Sequence, residues 1–126
     1  MRERARGCCE YCRLASDSAP VRFHVDHIIP VKHGGTDAMD NLCLACFSCN
    51  AYIRHDLAGF DPDRGQVARL SDPRASQWTD HFRLELDMRI LGLTPHGRAT
   101  VRVLQFNLQE RIESRQELAL TGEYPC

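Results

Sequence analysis

The sequence predicts a small α+β domain held by a four-cysteine metal site, and three observations carry that prediction. Two C-x-x-C pairs, Cys9/Cys12 and Cys46/Cys49, are separated by 33 residues. The stretch between and just beyond them has the order strand, loop, strand, helix. Past residue 60, HFRLEL and RILGL alternate around Asp87 and Met88 as a hairpin, and two helices follow.

Each element has a local reason. RERARG, residues 2 to 7, has the look of a short helix stopped by Gly7. VDHIIP is a β-branched run interrupted by Asp26 and His27 and ended by Pro30; GGT at Gly34 to Thr36 is a turn, with Asp37 and Asp40 keeping the loop solvated. NLCLAC is the second strand. Asn50 then opens a helical segment, with Tyr52, Ile53 and Leu57 at roughly helical spacing and Gly59 as its stop. Downstream, Asp61 to Gly65 forms a turn into a strand and SDPRASQW is a loop. Thr94 caps a helix with Pro95 in its first turn, and Asn107 with Glu110 resembles a capping pair for a last helix ending at Gly122. Val101, Leu104, Leu108 and Ile112 are expected in the core, and Trp78 is expected to pin its loop to that core.

Two thiolate pairs, each spanning a tight turn, match the tetrahedral geometry of structural zinc. A redox dithiol is the weaker reading, because neither pair lies in a βαβ pattern. The spacing leaves two competitors open: Cys43 and Cys46 share a three-residue period, and Cys8 competes with Cys9, only the distance to Cys12 favouring the latter. Otherwise Cys8 and Cys43 are spare, and Cys126 is expected as a free terminal thiol. Seven cysteines in such a chain point to metal thiolates before disulfides.

At 126 residues the expectation is one domain over 1–126, with a core at 9–57 and an extension at 60–126. No apolar stretch approaches the ~18 residues of a membrane span, and the N-terminus is charged where a signal peptide turns apolar, so a cytoplasmic location is expected. The net charge is −1, yet fifteen of the sixteen basic residues are Arg, Lys32 being the single Lys. That balance argues against a long non-specific phosphate-tracking surface but leaves room for a local basic patch.

Four thiolates saturate zinc and leave no open coordination position, so Asp26, His27, Asn41 and Asn50 need another explanation. Their order and spacing, His27 followed by Asn41 after 13 residues and by Asn50 after 8 more, together with Asp26, the GGT turn, NLCLAC and the flanking C-x-x-C pairs, resemble the HNH endonucleases. The resemblance covers residues 9 to 57, most closely the zinc-stapled bacterial branch, and implies a treble-clef-like ββα-metal motif. It implies that His27 is a general base, that Asn41 fixes the backbone around it, and that Asp26 and Asn50 are ligands of one divalent cation. Arg54 and Lys32 are the expected phosphate contacts, and DNA the expected partner.

Physical chemistry supports those roles. Phosphodiester hydrolysis needs a water nucleophile, a proton acceptor with pKa near neutrality and a cation on the developing charge. An all-oxygen ligand pair favours Mg²⁺ or Mn²⁺ over softer metals. Two features strain this reading. Strand alternation puts Asp26 with His24 and His27 on the opposite face, so His24 stays a reserve candidate. Ile53 stands where relatives often carry Lys, and Arg54 next door points about 100° away. The alternative to an enzyme is a non-catalytic zinc module that binds nucleic acid or protein; such a module has no use for Asp26, His27 and Asn50 together.

Overall fold

The computed structural model describes residues 1–126. Five short helices and six strands follow one another: α1 Arg2–Ala5, β1 His24–His27, β2 Leu42–Ala45, α2 Phe47–Ile53, β3 Ala58–Asp61, β4 Gln66–Arg69, α3 Trp78–His81, β5 Phe82–Leu84, β6 Ile90–Gly92, α4 Pro95–Val103 and α5 Gln109–Leu120. The strands form three separate antiparallel pairs, β1–β2, β3–β4 and β5–β6. The downstream half therefore holds two hairpins where the sequence predicted one. β3 starts inside the segment expected to be helical, and Gly65 at φ 67° closes its tip. No helix is long and apolar enough to cross a membrane.

Three cap expectations change. α2 is opened by Cys46, whose Sγ accepts the Cys49 N–H, so Asn50 sits inside the helix and is not its cap. The helix also stops at Ile53, with Arg54 at φ 47°, well before Gly59. Asn107 does not cap α5. Its amide instead brackets Ile90, accepting that residue's N–H at 2.9 Å and donating to its C=O at 2.9 Å, because a carboxamide fits an unpaired strand edge as well as a helix end. Thr94 does cap α4, accepting the Gly97 N–H at 3.0 Å, with Pro95 in the first turn.

The cysteines of the two pairs lie in one continuous core with Tyr11, Phe23, Leu44, Ile53, Phe82, Ile90, Leu104 and Phe106. Aromatic rings link its downstream part, with Phe82 5.2 Å from Trp78 and 5.6 Å from Phe106. Trp78 also donates its indole N–H to the Tyr11 carbonyl at 2.7 Å, which pins the 71–78 loop to the cysteine turn. α4 lies against β3 and β6 at a separation only glycine permits: a Cβ on Gly92 would come within 2.6 Å of the Arg98 nitrogen.

Cys126 is not a free thiol, and Cys8 is not spare. They form a disulfide with Cα atoms 5.7 Å apart, across a sequence separation of 118. The pairing follows from the way the tail folds back. Tyr124 donates its hydroxyl to Cys12 O at 2.7 Å, Cys126 donates its N–H to Arg13 O at 2.9 Å, and the Arg13 guanidinium donates to Cys126 O at 2.6 Å. No local pattern reports a contact between residues so distant in sequence.

Asp61 is fully buried at the end of β3 and binds Arg98 of α4 through two parallel hydrogen bonds of 2.8 and 3.0 Å. The Arg98 guanidinium holds the Asp61 carboxyl below its ordinary value. A carboxylate so lowered contributes stability that is complete above its unfolded value of about 3.9 and is lost as pH falls through the folded value. Asp61→Asn should therefore flatten the fall in melting temperature on the acid side. Thermal melts from neutral to strongly acidic pH measure this, and an acid limb parallel to that of the unsubstituted protein would refute it.

Candidate active site and metal centre

Two turns of the same construction bring the four cysteines together. In the first, Cys12 donates its N–H to Cys9 Sγ at 3.5 Å, and in the second Cys49 donates to Cys46 Sγ at 3.4 Å. The four sulfurs lie within 4.8 Å of one another, and all four residues are buried. Cys12 and Cys46 Sγ are 3.7 Å apart, close to the ~3.8 Å edge of a tetrahedron with Zn–S bonds of ~2.3 Å. Burial pushes the Cys9 and Cys49 thiols well up, whereas hydrogen bonds from Cys46 and the other thiols pull Cys12 down. A dication resolves that conflict, and the donor set fits zinc in a closed, structural site.

Both competing ligand sets are eliminated. Cys8 is in the disulfide, while Cys43 pairs with Asp26 across β1–β2 and lies outside the cluster. Burial pushes the Cys43 thiol up to about 12.

Beside this centre, β1 and β2 form a hairpin against which α2 packs. The loop between the strands is organised by Asn41. Its Oδ1 accepts the Ile29 N–H at 2.8 Å, and its Nδ2 donates to Ile29 O at 3.0 Å and Thr36 O at 2.8 Å. Ile28 donates its N–H to the Asn41 carbonyl at 2.8 Å. Gly35 makes that closure possible, since a Cβ there would lie 1.6 Å from Ile29 O.

His27 ends β1, and its Nε2 lies 2.8 Å from Asp37 Oδ1. Sequence reasoning gave Asp37 only a solvating role; its ten-residue offset from His27 carries no local signal, and the loop closure alone makes the contact. Asp26 Oδ1 accepts the His27 N–H at 3.0 Å, while Asp26 Oδ2 is buried without any partner. Burial raises the Asp26 carboxyl, and the hydrogen bond from the His27 N–H, followed by the nearby His27, His24 and His55 side chains, only partly offsets this. A buried carboxylate oxygen with no donor is a group that fits a cation.

β1 extends to His27, its last residue, so strand alternation places Asp26 with His24 and His27 on the other side, and a phosphate meeting both groups would have to lie across the end of the strand. Asn50 lies in the middle of α2, half-buried, and its side chain makes no hydrogen bond within the protein. Ile53 is a core residue, leaving no room for a basic side chain at that position, and exposed Arg54 and His55 follow it. Lys32 is exposed in a 3₁₀ turn, Val31–His33.

The zinc reading makes a direct prediction. Purified protein should hold about one equivalent of zinc, and Cys46→Ser should lose it and unfold, because such sites bind with roughly 10–16 kcal/mol against a typical domain stability of about 5–15 kcal/mol. Metal analysis with circular dichroism checks both, and a folded, metal-free Cys46→Ser protein would sink the assignment.

Comparison with known proteins agrees with the site. Residues 9–54 match the family model described as HNH endonuclease. No curated protein and no solved structure matches the chain. The match takes in both cysteine pairs, the β1–β2 hairpin with its Asn41-bound loop and the helix α2, and over this segment the chain is similar to the HNH endonuclease family.

Proposed function

We propose that this chain is a metal-dependent endonuclease that hydrolyses phosphodiester bonds in DNA by a one-metal mechanism. The observation that carries the proposal is the pair of groups at the end of β1: a buried Asp26 oxygen with no partner, next to a histidine oriented by a carboxylate.

His27 is the base. With Nε2–H donating to Asp37, the lone pair of Nδ1 is left to accept a proton, and Asp37 stabilises the imidazolium that forms. Water attacks phosphorus as His27 takes its proton, the P–O bond to the leaving sugar oxygen breaks, and a solvent proton restores that hydroxyl. Asp26 and Asn50 would hold Mg²⁺ or Mn²⁺, which supplies positive charge where the phosphate and leaving oxygen gain negative charge. Asn41 acts through the backbone, fixing the Ile28–Ile29 segment that leaves His27 and the Thr36 turn that carries Asp37. Arg54 and Lys32, both exposed, contact the phosphates on either side.

Plasmid nicking with added Mg²⁺ tests the activity. His27→Ala should slow cleavage by roughly 10²–10⁴ while cation and DNA binding persist, since a base acts on the attacking water and not on the bound ground state. Unchanged cleavage would remove His27 from the mechanism. Asn50→His exchanges an oxygen ligand for a softer nitrogen, so the metal preference should move from Mg²⁺ towards Mn²⁺, Ni²⁺ or Zn²⁺. An active Asn50→His enzyme with the original metal profile would exclude Asn50 as a ligand.

A further inference from the structure

The zinc centre contains more than its four cysteines. Four thiolates around a dication leave a net charge of minus two in a buried place, which is costly unless donors and an opposite charge face the sulfurs. Backbone N–H groups serve Cys9 and Cys46. Cys49 is served by a side chain from 62 residues away: Arg111, in the first turn of α5, donates from Nη2 to Cys49 Sγ at 3.2 Å.

That guanidinium is held from several sides. Its other terminal nitrogen donates to Leu104 O at 2.6 Å and to Gln105 O at 3.3 Å, carbonyls at the C-terminal end of α4 where the helix dipole is negative. Its carbon sits 5.7 Å from the centre of the buried Phe106 ring. An opening of about 260 Å³ leads from solvent to the sulfur cluster, and Cys12, Cys46, Arg111 and Arg115 line it. Arg115 is fixed by donating to Met88 O at 2.8 Å and to Asn107 Oδ1 at 3.2 Å. The opening to the thiolates is thus lined by two anchored cations, with Glu110 beside them, all outside the 9–54 segment.

We infer that Arg111 is a positioning residue of the zinc centre: its charge-assisted hydrogen bond to Cys49 sets how tightly the tetrathiolate holds zinc, and the downstream half of the chain completes the metal site. This inference stands apart from the nuclease reading, because neither it nor its test involves cleavage. A bare brace between α4 and α5 would need only the two carbonyl contacts. The bond to sulfur adds a dependence on charge and donor geometry at the metal.

The test uses the full chain loaded with zinc, or with Co²⁺ as a spectroscopic stand-in. Arg111→Met should weaken zinc binding by about 10–100-fold, the usual effect of removing a hydrogen bond to a ligand, read as faster release to a chromophoric chelator, and should shift the thiolate-to-cobalt absorption band. Arg111→Lys keeps the charge without the two-ended fork and should fall between, with Arg111→Gln nearer to Met. Arg98→Met, which breaks the Asp61 pair on β3, is the control for general destabilisation. Zinc release that tracks melting temperature equally in Arg111→Met and Arg98→Met, or an unshifted cobalt band in the Arg111 variants, overturns the inference. If Arg111→Met does not fold, the band position and release rate of Arg111→Lys decide in its place.

Discussion

Four buried sulfurs within 4.8 Å of one another, where four bare charges would be costly, are the constraint on which this protein rests. Cys9 and Cys12 precede β1, and Cys46 and Cys49 open α2, so one dication held by the four would tie together the ends of the β1–β2 hairpin and the helix beside it. The three elements are short, at four, four and seven residues, and a two-stranded hairpin of that size is at best marginal alone. Such a staple would replace the apolar area these elements lack.

The downstream half converges on the two cysteine turns from several directions. Trp78 donates to Tyr11 O and Tyr124 to Cys12 O, Arg74 pairs with Glu10, and Arg111 reaches Cys49. Glu10 in turn accepts the Leu44 N–H at 2.7 Å, linking the first cysteine turn to β2. The Cys8–Cys126 disulfide closes the chain beside that turn. Cysteine turns expose many backbone groups that regular structure cannot satisfy, and buried backbone groups need partners. Much of the downstream scaffold supplies them.

Rigidity in the loop from Ile28 to Asn41 comes from one carboxamide and one missing side chain. Asn41 makes three hydrogen bonds to backbone, and Gly35 leaves space for Ile29 O. An alanine at residue 35 would have to displace backbone, so the loop has little freedom to drift. Its consequence is felt ten residues from His27, where Asp37 meets the imidazole while staying largely exposed. The meeting of the His27 ring with Asp37 is thus produced by a loop closure whose hydrogen bonds involve neither side chain.

Local chemistry alone determined a good deal. The C-x-x-C spacing marks two thiolate turns, the β-branched run VDHIIP marks β1, the alternation of Leu42, Cys43 and Leu44 marks β2, Thr94-Pro95 marks the start of α4, and the alternation around Asp87 and Met88 marks the last hairpin. Each signal lies within a few residues, where backbone sterics, caps and alternation act. Asn50 and Asn107 mark where that reach ends: a carboxamide suits a helix start, yet Cys46 caps α2 through its own tight turn and the tertiary fold gives Asn107 the strand edge at Ile90. The tertiary structure also decided which cysteines share a site, by putting Cys43 opposite Asp26 and bringing Cys126 back to Cys8. It alone joined Asp37 to His27, left an Asp26 oxygen without a partner, and aimed Arg111 at Cys49. These pairings span 10 to 118 residues. Over such separations no backbone periodicity relates the partners, and their meeting is set by how the elements pack.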